Sequence, residues 1–378
     1  MSVTYQKVFR GRGSLSRIPQ MMSKFSVSKP LIVGSGLLTG KLLKKVPSLL
    51  TAPVFDDYHP NPDFEDAVKG VGIFHTHQCD GIISIGGGSA IDTAKAIKAL
   101  LFTESQKSAL EGRFPEHMPI PHIALPATAG TGAEATQNAV IYVENRKASL
   151  SHPALRPDGV VLDADLLETL PLYHRKSSAL DALCQGIESY WCTSATEDSR
   201  IHAYLAILGV LDNLKAYLAG DPHAAEEMLD ASYQSGKAIQ LTRTTAAHAM
   251  SYQLTKTMGY AHGHACMLTL PTLWEAAEKE EGMTNILTDL SRKMRLGNSQ
   301  MVPKLLRGIL IDLDMEIPSM PSEEILDMLS DSVNTERLSN HPVKMTSKDV
   351  KDIYKRAFIP IGDAEKLACL DIWKYYGV

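Results

Sequence analysis

The chain has 378 residues, 44% hydrophobic and 21% charged, which at roughly 150 residues per domain points to two domains or slightly more, each with a real core. No apolar run approaches the roughly 20 residues of a membrane-spanning helix. A net charge of −5 provides no overall positive field for a polyanion, so neither a membrane nor a nucleic acid is an expected partner.

The charge is unevenly spread. Residues 1–55 carry nine Lys and Arg and no acid, leaving the remainder at about −14. An acid-free start with Arg and Ser resembles an organelle transit peptide. Leu31-Ile32-Val33 already reads as a buried strand, however, which leaves little chain for a leader. No apolar segment follows Met1, so secretion is not expected. Five cysteines, an odd number without a CxxC pair, suit a reducing cytoplasm.

In chain order, β-branched runs alternate with helical stretches up to about residue 165, the pattern of a parallel sheet with crossover helices. Leu31–Val33, Gly81–Ile85, His122–Leu125 and Val160–Leu162 are the expected strands, with helices at Phe64–His77 and Ala90–Phe102. From Leu180 onward, apolar spacing of three and four (Ile201, Tyr204, Leu205, Leu208, Leu211) predicts helices. The expected architecture is an α/β dinucleotide-binding domain over residues 1–165 and an all-α domain over 166–378, with a ligand in the cleft between them.

The first chemical signal is Gly86-Gly87-Gly88-Ser89, placed where a strand feeds a helix. Such a turn exposes backbone N–H groups and the positive end of a helix dipole, which suit a pyrophosphate. It fits neither GxGxxG nor the P-loop pattern, and a plain tight turn is the competing reading. Pro126 to Glu134 repeats the situation after the next strand. Two such turns at adjacent strand ends imply a nucleotide lying across the sheet edge.

The second signal lies in the helical half. Asp181 and Gln185 stand at i and i+4 on one helix face, and His248 and His262 follow downstream. One carboxylate and two imidazoles suit Fe2+ or Zn2+ with a position open to substrate oxygen. Each residue taken alone would read as structural.

In these motifs the chain resembles the iron-containing alcohol dehydrogenases. Gly86-Gly87-Gly88-Ser89 with Asp92 and Lys95 matches that family's GGGSxxDxxK loop, and Thr128-Ala-Gly-Thr131-Gly-Ala-Glu134 matches its TxxGTGSE nicotinamide loop, with Ala133 in place of Ser. Lys147 corresponds to the lysine that approaches the nicotinamide ribose. The resemblance implies a dehydroquinate synthase-like fold and a homodimer or larger assembly. It also implies a metal held by Asp181, His248 and His262.

The family's DAxxHxIE metal motif reads Asp181-Ala-Leu-Cys-Gln185-Gly-Ile-Glu188, so its first histidine is Gln185, expected to complete the metal shell or to bond a bound water. The proton-relay histidine is Tyr252, which suits donation to an alkoxide rather than base catalysis at neutral pH. The strings Asp181–Trp191, Leu241–Tyr252 and Ala261–Leu268 resemble the branch that reduces phosphonoacetaldehyde to 2-hydroxyethylphosphonate. Arg10–Leu15 and Lys147–Leu155 point the same way.

A phosphonate needs cations or donors at its far end. Arg243 and Thr244 are the first candidates, then Lys147, Ser149 and His152; the competing reading of Arg243 is an exposed helix residue. NADP(H) is preferred over NAD(H), because Gly34-Ser35-Gly36 offers no carboxylate after its strand, while Ser35 and Lys41 suit a 2′-phosphate. Three alternatives stand beside this: a general short-chain alcohol dehydrogenase, a lyase like dehydroquinate synthase, and a nucleotide-binding protein without catalysis. The lyase would show no net NADPH consumption, and metal analysis isolates the last.

Overall fold

Pro30 to Gly34 and Gly81 to Gly86 are buried at every residue, the mark of strands covered on both faces. In the computed structural model, which describes residues 6–374 other than 104, 145, 316, 318 and 334–337, together with residue 376, they belong to a six-stranded sheet. Its strands are β1 (Lys7–Arg10), β2 (Pro30–Gly34), β3 (Val54–Phe55), β4 (Gly81–Gly86), β5 (His122–Pro126) and β8 (Gly159–Leu162), in the order β1-β8-β5-β4-β2-β3. Every pairing is parallel. β6 (Asn138–Val143) and β7 (Arg146–Ser151) form a separate antiparallel hairpin.

The chain divides into two compact units, Met1–Leu170 and Pro171–Val378. Within the first, period-two alternation sends Leu31, Val33 and Ile82 into one core layer with Phe55, Phe74 and Ile97, and Ile32, Ile83 and Ile85 into the opposite layer with Ile18, Met21 and Leu166. Helices α1 (Ile18–Lys24), α2 (Gly36–Lys45), α3 (Phe64–Thr76), α4 (Gly88–Leu100) and α5 (Gln106–Leu110) serve this unit.

All four expected strands are present. The helix expected from Ala90 begins two residues earlier, at Gly88, because glycine backbone itself supplies the first turn. The chain leaves β2 toward the β3 edge and continues from β4 in the other direction through β5 and β8. The boundary between β2 and β4 is therefore a topological switch point, where open parallel sheets bind ligands at their carboxyl ends.

The second unit is helical: α6 (Leu172–Trp191), α7 (Glu197–Leu218), α8 (Pro222–Leu241), α9 (Ala246–Met258), α10 (His262–Ala277), α11 (Thr284–Lys293), α12 (Met301–Asp312), α13 (Glu323–Asp331), α14 (Ser347–Ala357) and α15 (Asp363–Lys374). From Ala179 to Trp191 every residue of α6 is buried. It is the central helix, with α7, α8 and α10 packed around it. Among the described residues no helix is long and apolar enough to cross a membrane.

Candidate cofactor cradle and metal centre

In the first unit the register places Gly34 beside Ile85 and Gly86 beside Pro126. Ser35, the Gly86–Ser89 turn and the Thr128–Gly132 turn thus leave three neighbouring strands at their carboxyl ends. The last two turns pack on one another. A Cβ on Gly87 would lie 3.0 Å from Thr128 Cγ2, and one on Gly88 would lie 3.2 Å from Thr131 Cγ2. No side chain caps the first turn of α4, so its leading N–H groups point into this cradle without an internal partner from a cap.

Asp92 and Lys95, one turn further along α4, brace the cradle. Asp92 Oδ2 accepts the Val140 N–H at 3.0 Å, tying α4 to the hairpin. Lys95 Nζ donates to the carbonyls of Ala133 and Asn138 and to Thr136 Oγ1 at 2.7, 2.7 and 3.0 Å. Ser89 Oγ donates to the Pro60 carbonyl.

Lys147 and Ser149 are exposed on β7. His152 Nδ1 accepts the Ala154 N–H at 3.2 Å and caps the following turn. Burial and Lys98 hold its pKa below the usual histidine range, so this ring offers no permanent cation. Lys41 differs from expectation. Its ammonium donates to the Asp165 carbonyl at 3.0 Å and lies 3.6 Å from Glu168.

In the second unit, α6 presents Asp181, Gln185 and Glu188 at successive turns. α9 presents His248, Ser251 and Tyr252, and α10 opens on His262 with Cys266 one turn later. The ligand atoms of Asp181, His248, His262 and Cys266 all lie within 4.8 Å of one another. Asp181 Oδ1 is 3.1 Å from His248 Nε2 and 4.0 Å from His262 Nε2.

Glycine makes this convergence possible. A Cβ on Gly263 would stand 2.6 Å from Asp181 N and 2.8 Å from Asp181 Cβ, so only a bare backbone lets α10 approach α6 at the aspartate.

The outer nitrogens of both imidazoles are held. His248 Nδ1 pairs with Glu188 Oε2, and His262 Nδ1 is 3.2 Å from Ser251 Oγ. Glu188 is fully buried, where an uncompensated carboxylate would cost several kcal/mol. Its other oxygen accepts from Thr245 Oγ1 and from the Ala247 N–H, each at 2.7 Å.

Burial pushes the Asp181 carboxyl upward, yet the imidazoles of His262 and His248, with the amide of Gln185, hold it below the usual carboxylate range. The site therefore contains an ionised carboxylate and two imidazoles with their outer nitrogens fixed, the donor chemistry a divalent cation requires. Tyr252 stacks on His262, centroids 5.5 Å apart and planes 9° apart.

Arg243 is exposed on the loop joining α8 to α9, not on a helix, with φ at +150°. That is a conformation L-residues rarely adopt. Thr244 beside it is buried.

Three residues of this site carry no expectation from the sequence: Glu188, which closes the Asp181–Glu188 motif, Ser251, one turn after His248, and Cys266, at i+4 from His262. Helical spacing alone would have found the last two. A second grouping, His59, Asp63 and Asp66, is the capping box of α3, its Asp66 Oδ2 accepting the N–H groups of His59 and Asp63 at 3.0 and 3.1 Å.

Two family models match this chain, iron-containing alcohol dehydrogenase over residues 6–164 and the C-terminal region of the Fe-containing alcohol dehydrogenase family over residues 176–358. The phosphonoacetaldehyde reductase of Streptomyces viridochromogenes is 35% identical over 228 residues, 57% of this chain and 58% of that protein. The match thus spans little more than half of that relative. Lactaldehyde reductase of Escherichia coli K12 is 27% identical over 372 residues, 92% of this chain and 97% of that protein. Among solved structures, sulfoacetaldehyde reductase from Bifidobacterium kashiwanohense in complex with NAD+ superposes with a TM-score of 0.87 at 25% identity, covering 93% of this chain and 97% of that one. With its parallel sheet, its glycine turns and its carboxylate–imidazole cluster, the chain belongs to the iron-containing alcohol dehydrogenase family.

Proposed function

We propose that this protein reduces phosphonoacetaldehyde to 2-hydroxyethylphosphonate with NADPH and a divalent metal, Fe2+ or Zn2+. The observation that carries the reading is the convergence of Asp181, His248 and His262 with Tyr252 stacked beside them. In this site the metal would polarise the aldehyde oxygen, while the dinucleotide held by the first unit would supply hydride.

The protein's own residues divide the remaining work. Asp181, His248 and His262 hold the cation, and Glu188 and Ser251 fix the two rings. Gln185, expected at the metal, has its Oε1 accepting from Ser235 Oγ at 3.0 Å; it positions Asp181 through its amide. Tyr252 holds the proton that the nascent alkoxide needs. Ser35, Gly86, Gly87, Gly88, Ser89, Thr128 and Thr131 receive the dinucleotide, with Lys147 toward the ribose. Asp92 contributes by holding α4 to the hairpin.

Arg243 and Thr244 are proposed for the phosphonate, with Ser149 and His152 as second candidates. The strained backbone at Arg243 supports a role beyond a solvated surface position. NADPH over NADH rests on the absence of a carboxylate after β2. Five buried free cysteines suit the expected reducing cytoplasm, and light scattering tests the homodimer or larger assembly.

One assay tests the reading. NADPH oxidation is followed with phosphonoacetaldehyde, sulfoacetaldehyde, acetaldehyde, propionaldehyde and lactaldehyde, on metal-replete and chelator-treated protein. A clear preference for phosphonoacetaldehyde, lost on metal removal, is expected. Equal rates on the uncharged aldehydes reject the phosphonate reading in favour of a general alcohol dehydrogenase. Preference for the sulfonate would move the substrate to the one named for the solved relative.

A further inference from the structure

We propose that Cys266 is a metal ligand of this chain, its thiolate replacing the histidine that the family carries at the position of Gln185. The inference rests on reading the α6–α9–α10 cluster as a metal centre and names its fourth donor.

Three observations carry it. First, Gln185 is engaged elsewhere, with Oε1 accepting from Ser235 Oγ at 3.0 Å and its side chain bonded to Asp181, so a metal at that position would compete with these bonds for a weaker donor than imidazole. Second, the Cys266 sulfur lies in the same 4.8 Å cluster as the atoms of Asp181, His248 and His262. Third, Cys266 is fully buried, one helical turn after His262 on α10, so its sulfur is on the face of the helix that carries a ligand.

Cys184 provides an internal comparison. It is equally buried, yet its sulfur is not among the clustered donors. The ligand moves from α6 to α10 in this chain, and the number of protein donors is kept. As the metal–sulfur bond forms, the thiol proton leaves to solvent and no oxidant is needed. One carboxylate, two imidazoles and one soft thiolate favour Zn2+ over Fe2+ relative to a site whose donors are all nitrogen and oxygen.

The test begins with wild-type protein loaded with Zn2+ and examined by X-ray absorption at the zinc edge. A sulfur in the first coordination shell is expected; a shell of nitrogen and oxygen alone overturns the inference even though metal is bound. Absence of any stoichiometric metal would overturn it together with the reading of the cluster as a metal centre.

The second arm replaces Zn2+ by Co2+ and records the near-ultraviolet thiolate-to-cobalt charge-transfer band. Wild type and Cys184→Ser should show it. Cys266→Ser should lose it and hold Zn2+ about ten- to a hundredfold less tightly, the scale at which even outer-shell partners of a metal are felt. A band that survives Cys266→Ser would overturn the assignment, and should that variant fail to fold, the absorption edge of the wild type still decides.

Discussion

Glu188 Oε2 is hydrogen-bonded to Nδ1 of His248, and that contact aims Nε2 of the same ring at Asp181, 3.1 Å away. The carboxylate acts through the imidazole, fixing its tautomer and its angle to the cluster. Glu188→Gln keeps the volume but replaces one acceptor by an NH2 group. Of Thr245, the Ala247 N–H and His248, at least one donor must then face another donor. Metal affinity is expected to fall about ten- to a hundredfold, read by competition with a chromogenic chelator, with the helical circular dichroism retained. Unchanged affinity would remove Glu188 from the metal site.

Gly263→Ala tests the approach of α10 to α6. The new methyl would meet the Asp181 backbone nitrogen at 2.6 Å, an obstacle that no rotamer change relieves. Separating the helices should destabilise the second unit by about 1–3 kcal/mol, the usual cost of overpacking, and should lower bound metal in proportion as His262 moves from Asp181. Thermal unfolding and metal analysis of the same preparation check both. Reduced stability with full metal content would show that the close approach serves packing alone.

Much of the site was legible from the order of its motifs. Gly86–Ser89 and Thr128–Glu134 each follow a buried strand, and the parallel register then makes the two turns neighbours. His248 and His262 were found because the family spacing is kept even where Gln185 and Tyr252 depart from it. What spacing could not show is which way a polar side chain turns once helices cross. Asp92 looked like a cofactor residue, and one of its oxygens accepts the Val140 N–H. Lys41 looked available and is drawn to Asp165 and Glu168. Cys266 drew no separate expectation because its relation to His248 depends on how α9 and α10 pack. β3, only two residues long, is too short to display a period.

Tyr252→Phe preserves the ring stacked on His262 and removes only the hydroxyl. With metal content unchanged, kcat for aldehyde reduction is expected to fall about 10²- to 10⁴-fold, the scale of general acid catalysis, while KM moves little. Steady-state kinetics at saturating NADPH separate the two. An unaltered kcat would assign the proton to water instead.

Arg243→Ala tests the anion end of the substrate. The residue is exposed, and the substitution leaves the ligands on α6, α9 and α10 in place; circular dichroism of the variant checks its fold. KM for phosphonoacetaldehyde should rise by about tenfold or more, corresponding to a lost charge-assisted hydrogen bond of roughly 1.5–3 kcal/mol, while KM for acetaldehyde stays within about twofold. Parallel changes for both aldehydes would remove Arg243 from the phosphonate site.

Glu134 links the cofactor loop to pH. Its side chain is almost fully buried, and Oε1 has no hydrogen-bond partner. Burial raises the carboxyl from its ordinary 4.5 to about 7, with Lys95 opposing the shift. Below the unfolded value both states hold the proton and the group costs nothing. As pH rises toward about 7 the unfolded chain releases its proton while the folded one keeps it, so stability is progressively lost. A shift of this size corresponds to roughly 3 kcal/mol once pH exceeds the folded value. Glu134→Gln removes the titration, so its stability relative to wild type should improve on going from about pH 5 to about pH 8, read from paired thermal unfolding curves. A difference between the two proteins that stays constant with pH would show that the carboxyl ionises as easily in the folded loop as in water.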